Sequence, residues 1–168
     1  MWSSVQSLLQ NRKAGLSIAR VMLEHGIRID HSGRFFVGDV AISDSSLARA
    51  AGVDRRAVRE TAGYILSKAE LKAVLSKIRP FGASLAEVAS LLRFSVLRIH
   101  AEPHAPGVIS DVSSVLAGHN IVIRQALADD PDLVPEPRLT LVVEGDLPAS
   151  ALEEIRALDC VRSLTLTK

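Results

Sequence analysis

Between Phe94 and Lys168 the apolar residues change period in a fixed order, and this order limits the folds open to the chain. From Phe94 to Ala101, Leu97 and Ile99 alternate with Arg98 and His100, the period of a strand with one buried face. Glu102-Pro103-His104-Ala105-Pro106-Gly107 breaks the pattern as a loop. Val108, Val112, Val115 and Leu116 then share one face of a helix that ends near Gly118. A strand is predicted over 121–127, followed by a polar, proline-rich loop from Asp129-Asp130-Pro131-Asp132 to Pro137. Strand 138–143, helix 148–158 and strand 161–166 complete the series. Strand, helix, strand, strand, helix, strand is the split βαβ order, which places helices on one face of an antiparallel, ferredoxin-like sheet.

The first half reads differently. Val5, Leu8, Leu9, Leu16, Ile18, Ala19, Met22 and Leu23 recur at spacings near three and four, predicting a helix over 4–26 that stops at Gly26. Ile27-Arg28-Ile29 and Phe35-Phe36-Val37 flank His31-Ser32-Gly33 as a short hairpin. Residues 44–68 read as two helices with a tight turn at Ala51-Gly52-Val53, and Leu71, Val74, Leu75 and Ile78 continue the helical pattern. Pro80-Phe81-Gly82 ends it, and a short helix over 83–92 leads into the second half. The expected organisation is a helical domain at 1–79, a linker helix at 80–93 and the βαββαβ domain at 94–168, an α+β fold class.

Charge divides along the same boundary. Residues 1–80 hold thirteen Lys and Arg against seven Asp and Glu, a balance of +6, while residues 81–168 hold seven against twelve, a balance of −5. The whole-chain value of +1 conceals this split. A basic half joined to an acidic half suits an anionic partner for the first and a separate task for the second. The 48% of hydrophobic residues can build a core, but no apolar run approaches the roughly 18–20 residues needed to span a bilayer. The start, Met1-Trp2-Ser3-Ser4, lacks the basic and apolar regions of a signal peptide, so a cytoplasmic protein with no membrane partner is expected. Cys160 is the single cysteine and lies among apolar residues, the setting of a small buried side chain.

Residues 46–65 meet the requirements of a helix-turn-helix position by position. Leu47, Ala51 and Val53 are apolar where the first helix and the turn pack, and Ala48 is small where the helices cross. Gly52 falls where the turn needs a left-handed backbone. Asp54 can cap the second helix, whose buried stripe is Val58, Ala62 and Ile65. Arg55, Arg56 and Arg59 cluster at the start of that helix, where such proteins reach base edges in the major groove. Arg49 and Lys68 would then contact phosphates. Helix-turn-helix folds also serve as dimerisation modules, and three arginines on one face also form a plain solvated surface. Both readings stay open.

In the second half, Pro106-Gly107 stands immediately before the helix, followed by Val108-Ile109 and, after the helix, by His119-Asn120-Ile121-Val122-Ile123. Here the segment resembles the ACT domain, the amino-acid-sensing module of many biosynthetic enzymes and regulators. With Gly52-Val53-Asp54-Arg55-Arg56, Ile123-Arg124-Gln125 and Ala128-Asp129-Asp130-Pro131, nearly the whole chain is similar to a mainly archaeal family of predicted regulators of amino acid metabolism that place an ACT domain after a helix-turn-helix. The resemblance implies a homodimer or higher homo-oligomer that binds double-stranded DNA and an amino acid effector. The effector would lie between one subunit's Glu102–Ile109 loop and the partner's second strand. Gly107 admits the ligand to the backbone, and the N–H groups of Gly107 and Val108 would receive an anion such as an α-carboxylate. Glu102 and His104 would hold the α-ammonium group. The same glycine also fits a simple turn. Amino-acid-binding members often carry asparagine where this chain has Val122, with Asn120 two residues earlier, which implies an apolar ligand or a domain that only pairs. The alternative function is a regulatory or protein-interaction module that does not bind DNA.

No residue set resembles a catalytic site. His25, His31, His100, His104 and His119 are scattered, Glu153-Glu154 and Asp129-Asp130-Asp132 fit exposed positions, and phosphate-binding loops and zinc spacings are absent. His104 has no second metal ligand at useful spacing. The chain is therefore expected to be neither an enzyme nor the carrier of a cofactor or metal.

Overall fold

A computed structural model describes residues 2–168 and divides the chain into two compact units, Met1–Gly82 and Ala83–Lys168. The fold is α+β, with helices in both units and two antiparallel sheets.

The first unit contains helices α1 (Trp2–Leu9) and α2 (Lys13–Glu24), then strands β1 (Ile27–Ile29), β2 (Phe35–Val37) and β3 (Val40–Ile42). Helices α3 (Asp44–Ala51), α4 (Arg55–Ser67) and α5 (Ala69–Leu75) complete it. The single helix expected over 4–26 is thus two. Arg12 N–H turns back to the Leu9 carbonyl at 2.8 Å. One core then receives Val5 and Leu9 from α1 and Ile18, Ala19 and Met22 from α2. One straight helix of that length would run about 34 Å and carry the two groups apart. Gly15 fits the corner, because a Cβ there would stand 3.3 Å from both the Arg12 Cβ and the Leu9 side chain.

The expected hairpin gains a third strand. Val37 pairs with Val40, leaving Gly38-Asp39 as a two-residue turn whose glycine has φ 57°. The longer β1–β2 turn is organised by Asp30, whose Oδ1 accepts from Ser32 N–H (2.8 Å), Ser32 Oγ (2.7 Å) and Arg34 N–H (3.0 Å). These donors hold the Asp30 carboxyl well below the usual carboxylate range.

Both ends of the α3–α4 turn are closed. The Ser43 hydroxyl accepts from Ser46 N–H at 3.0 Å to cap α3, and Asp54 Oδ1 accepts from Arg56 N–H at 2.7 Å to cap α4. Between them Gly52 adopts φ 65°, and Val53 N–H returns to the Ala48 carbonyl at 2.9 Å. Leu47, Ala48, Val58, Ala62 and Ile65 are buried in the common core.

The second unit runs β4 (Phe94–Ala101), α6 (Val108–Gly118), β5 (Ile123–Ala128), β6 (Leu139–Glu144), α7 (Ala149–Arg156) and β7 (Val161–Thr167). The sheet order is β5-β6-β4-β7 with every pair antiparallel. Leu97, Ile99, Leu141 and Val143 share a core cluster with Val112 and Leu116 of α6 and Ile155 of α7. Val96 and Val142 belong to a separate cluster with Ala89, Leu85, Ala86 and Phe94. The segment before β4 therefore covers the second face of the sheet.

That segment is not the helix expected over 83–92; only a 3-10 turn at Ser90–Leu92 is helical. The Gln125 amide explains the difference. Its Nε2 donates to the Ala83 carbonyl at 2.8 Å and its Oε1 accepts from Leu85 N–H at 2.9 Å. Main-chain groups satisfied by a side chain in this way need no helix.

Two glycines of the first unit separate conformational strain from steric overlap. Gly52 has φ 65° and open space where a Cβ would stand, so Gly52→Ala should cost only the left-handed conformation, about 1–2 kcal/mol. Gly26 has φ 62°, and its Cβ would fall 2.5 Å from the Pro80 nitrogen. Gly26→Ala should therefore lose more stability than Gly52→Ala in denaturant unfolding. Equal losses would contradict the packing of 79–80 against Gly26.

Candidate functional site

A cleft of about 600 Å³ opens in the second unit where the 102–107 loop, the start of α6 and the 129–138 loop meet. Of the residues singled out by sequence, Glu102, His104, Gly107, Val108 and Ile109 line it, and Pro106 lies within the same loop. The opposite wall was not foreseen and comes from Ala128, Asp129, Pro131, Pro137, Arg138 and Leu139.

Gly107 introduces α6 with φ 88°. A Cβ there would be strained and would also stand 3.3 Å from Asp111 Oδ2. The carboxylate of Asp111 therefore lies over the start of the helix, where an arriving anion would otherwise find the positive end of the dipole. Ser110 Oγ donates to the Gly107 carbonyl at 2.8 Å and lies 3.2 Å from Asp111 Oδ1. Sequence pattern named this helix start as an anion site; the structure puts one of the chain's own carboxylates beside it.

Glu102 is committed as well. Its two oxygens receive Arg162 Nε at 2.6 Å and Nη2 at 2.5 Å, a bidentate pair between the end of β4 and β7. The hydrogen bond from Arg162 lowers the Glu102 carboxyl below its ordinary value, and the same bond raises the Arg162 guanidinium. His104, at φ 63°, faces Asp132 across 3.8 Å and so spans the two loops of the cleft.

Asn120 and Val122 do not line the cleft. They follow the other end of α6, a helix about 16 Å long. Asn120 takes φ 55°, with its own N–H bonded to the Ala117 carbonyl (3.0 Å) and Ile121 N–H to that of Leu116 (2.9 Å). These two bonds terminate the helix in the way a glycine commonly does, which accounts for an asparagine here. Val122 is 52% exposed.

In the first unit, Asp54, Arg55, Arg56 and Arg59 line a shallow concavity of about 360 Å³ at the start of α4. Arg55 and Arg56 are exposed and enter no ion pair among the described residues. Arg59 donates through Nε to Asp44 Oδ2 at 2.9 Å, tying α4 to the first turn of α3. Arg49 is exposed in the last turn of α3. Lys68 follows the far end of α4, about 19 Å along the axis, with its Nζ 5.6 Å from the Tyr64 ring. The arginines at the helix start are thus brought together, and Lys68 stands apart from them.

Cys160 is half-buried. Among the described residues no group of three or more His, Cys, Asp or Glu side chains is placed to hold a metal ion, and no helix is long and apolar enough to cross a membrane.

Comparison with known proteins adds little. No family model matches the chain, and no curated protein matches it either. A homoserine dehydrogenase from Thiobacillus denitrificans is similar in structure over 72% of this chain, at 16% identity and a TM-score of 0.36. The match spans 28% of that enzyme, and so slight a likeness carries no argument about fold or function.

The Glu102–Arg162 pair makes a pH prediction. Because the folded-state pKa of Glu102 is lowered, the contribution of the pair is full above the ordinary carboxylate value, about 4.3, and fades as pH falls through the lowered one. In a carbon-13 carboxyl titration by NMR, Glu102 should show a midpoint below that value. Arg162→Met should return it to the ordinary range; an unmoved midpoint would break the assignment.

Proposed function

We propose that the chain is a ligand-responsive regulator of amino acid metabolism, with a helix-turn-helix DNA reader in the first unit and an ACT-like amino acid sensor in the second. The supporting observation is that one chain carries two unlike surfaces. Exposed arginines stand at a capped helix start in the basic unit. A largely apolar cleft of ligand size lies in the acidic unit.

In the DNA-binding reading, α4 enters the major groove by its first turn. Arg55 and Arg56 supply the contacts, and Arg49 on α3 meets the backbone. Arg59 is the weaker contributor, since its guanidinium is held by Asp44. A balance of +6 is modest for a DNA-binding unit, so two copies acting on two half-sites fit it better than one. Pairing through the βαββαβ unit would supply the second copy. It would also bring a partner's exposed Val122 strand to a cleft that its own strand does not reach. Ligand binding then alters DNA affinity only if the ligand binds the two arrangements of the reader pair with different strength.

The same Arg59–Asp44 pair favours a second reading. An interaction module that does not bind DNA needs arginines for local structure only, and one of the three already serves that purpose.

The discriminating measurement is affinity for a mixed-sequence duplex as a function of salt. Arg55→Ala/Arg56→Ala should weaken binding at fixed salt and reduce the slope of log K against log salt by about 2. Arg59→Ala should change it by less than about 1. Unchanged retention by the double variant would discard the DNA reader and leave the interaction module.

A further inference from the structure

The charged side chains that line the cleft differ in what they are already bonded to. Both oxygens of Glu102 are taken by Arg162 at 2.6 and 2.5 Å. Asp129 and Arg138 are held side by side at the neck of the second loop, where Asp129 N–H donates to the Arg138 carbonyl (3.1 Å) and Arg138 N–H to Asp129 Oδ2 (3.3 Å). Their charged groups nevertheless stand 3.9 Å apart, beyond hydrogen-bond length, and remain 49% and 37% exposed. The backbone thus fixes a guanidinium and a carboxylate next to each other on the cleft wall while their hydrogen-bonding capacity toward each other is largely unused.

A zwitterion has the matching arrangement. An α-amino acid presents a carboxylate and an ammonium group on one carbon. The planar fork of arginine pairs a carboxylate bidentately, and an aspartate accepts from an ammonium. The alternative seat for the ligand carboxylate, the start of α6, already has Asp111 over it, and a second carboxylate there would meet a like charge. The remaining wall, with Val108, Ile109, Pro131 and Leu139, offers no charge to a side chain.

We infer that the cleft takes a free α-amino acid with an apolar side chain, its α-carboxylate on Arg138, its α-ammonium on Asp129 and its side chain against Val108, Ile109 and Leu139. Arg138 and Asp129 are then the residues that require both ends of the head group to be free. The inference rests on the sensing function proposed above and gives that function its chemistry.

The test is calorimetry on the full chain with L-leucine and L-phenylalanine, each compared with its N-acetyl and its C-terminal amide derivative. The unmodified chain should bind at least one free amino acid and bind both blocked forms at least about tenfold more weakly. Arg138→Gln should abolish the preference for the free acid over the amide while keeping the preference over the N-acetyl form. Asp129→Asn, which preserves an oxygen for the loop neck, should do the reverse. Arg138→Lys should restore part of the discrimination against the amide, a rescue that a purely structural role for Arg138 would not produce. If the unmodified chain binds a free amino acid and both variants keep its full pattern of discrimination, the head group is held elsewhere and this inference fails while sensing stands. If no free amino acid binds, sensing and the inference fall together.

Discussion

Strand β4 is the constraint on which the second unit depends. It is hydrogen-bonded along both edges, to β6 and to β7, and covered on both faces. Val96, Leu97 and Ile99 are buried almost completely, at 2, 0 and 0% exposure. A one-residue slip against β6 would exchange the two faces and expose Leu97 and Ile99 at about 1.5–3 kcal/mol each. The register, with Ile99 opposite Leu139, is therefore strongly specified. That register also makes the cleft. It sets the end of β4 beside the start of β6, so the chain leaving Ala101 and the chain arriving at Leu139 must meet. A register shift against β7 at His100 and Ala101 turns the departing strand at the same place.

The charged residues add little stability and much geometry. Exposed ion pairs contribute about 0–1 kcal/mol, so neither Arg59–Asp44 nor Glu102–Arg162 decides whether the chain folds. They decide which charges remain for a partner. Arg59 and Glu102 were candidate contacts by residue type and position, and each is already bound to a group elsewhere in its own unit. Arg55, Arg56, Arg138 and Asp129 are left with unused capacity.

This difference marks where sequence reasoning stops. Period and turn chemistry are local, so the helix-turn-helix caps at Asp54 and Gly52 and the strand order of the second unit could be read directly. The third strand of the small sheet was also written locally, in the two-residue Gly38-Asp39 turn between Val37 and Val40, and was overlooked as a hairpin signal. The break between α1 and α2 and the extended course of 83–85 were not local. One follows from folding two apolar groups onto one core, the other from an amide 40 residues away. For the same reason the cleft's first wall was legible and its second was not. The 102–109 segment carries a recognisable turn before a helix, whereas Asp129 and Arg138 become neighbours only when the loop closes at its neck.

Three residues in left-handed conformation show why a motif alone does not define a site. Gly52 has nothing within 4 Å of its absent Cβ, and Asn120 is held by main-chain bonds that end α6, so turn geometry accounts for both. Gly107 shares their backbone but not their surroundings, since one side of it faces the cleft and the other faces Asp111. A carboxylate at a helix start gains about 0.3–1 kcal/mol from the dipole. That gain is already taken by Asp111, so an anionic ligand cannot have it without adding like-charge repulsion. The positive charge that a carboxylate requires must then come from a side chain, and on the cleft wall that side chain is Arg138.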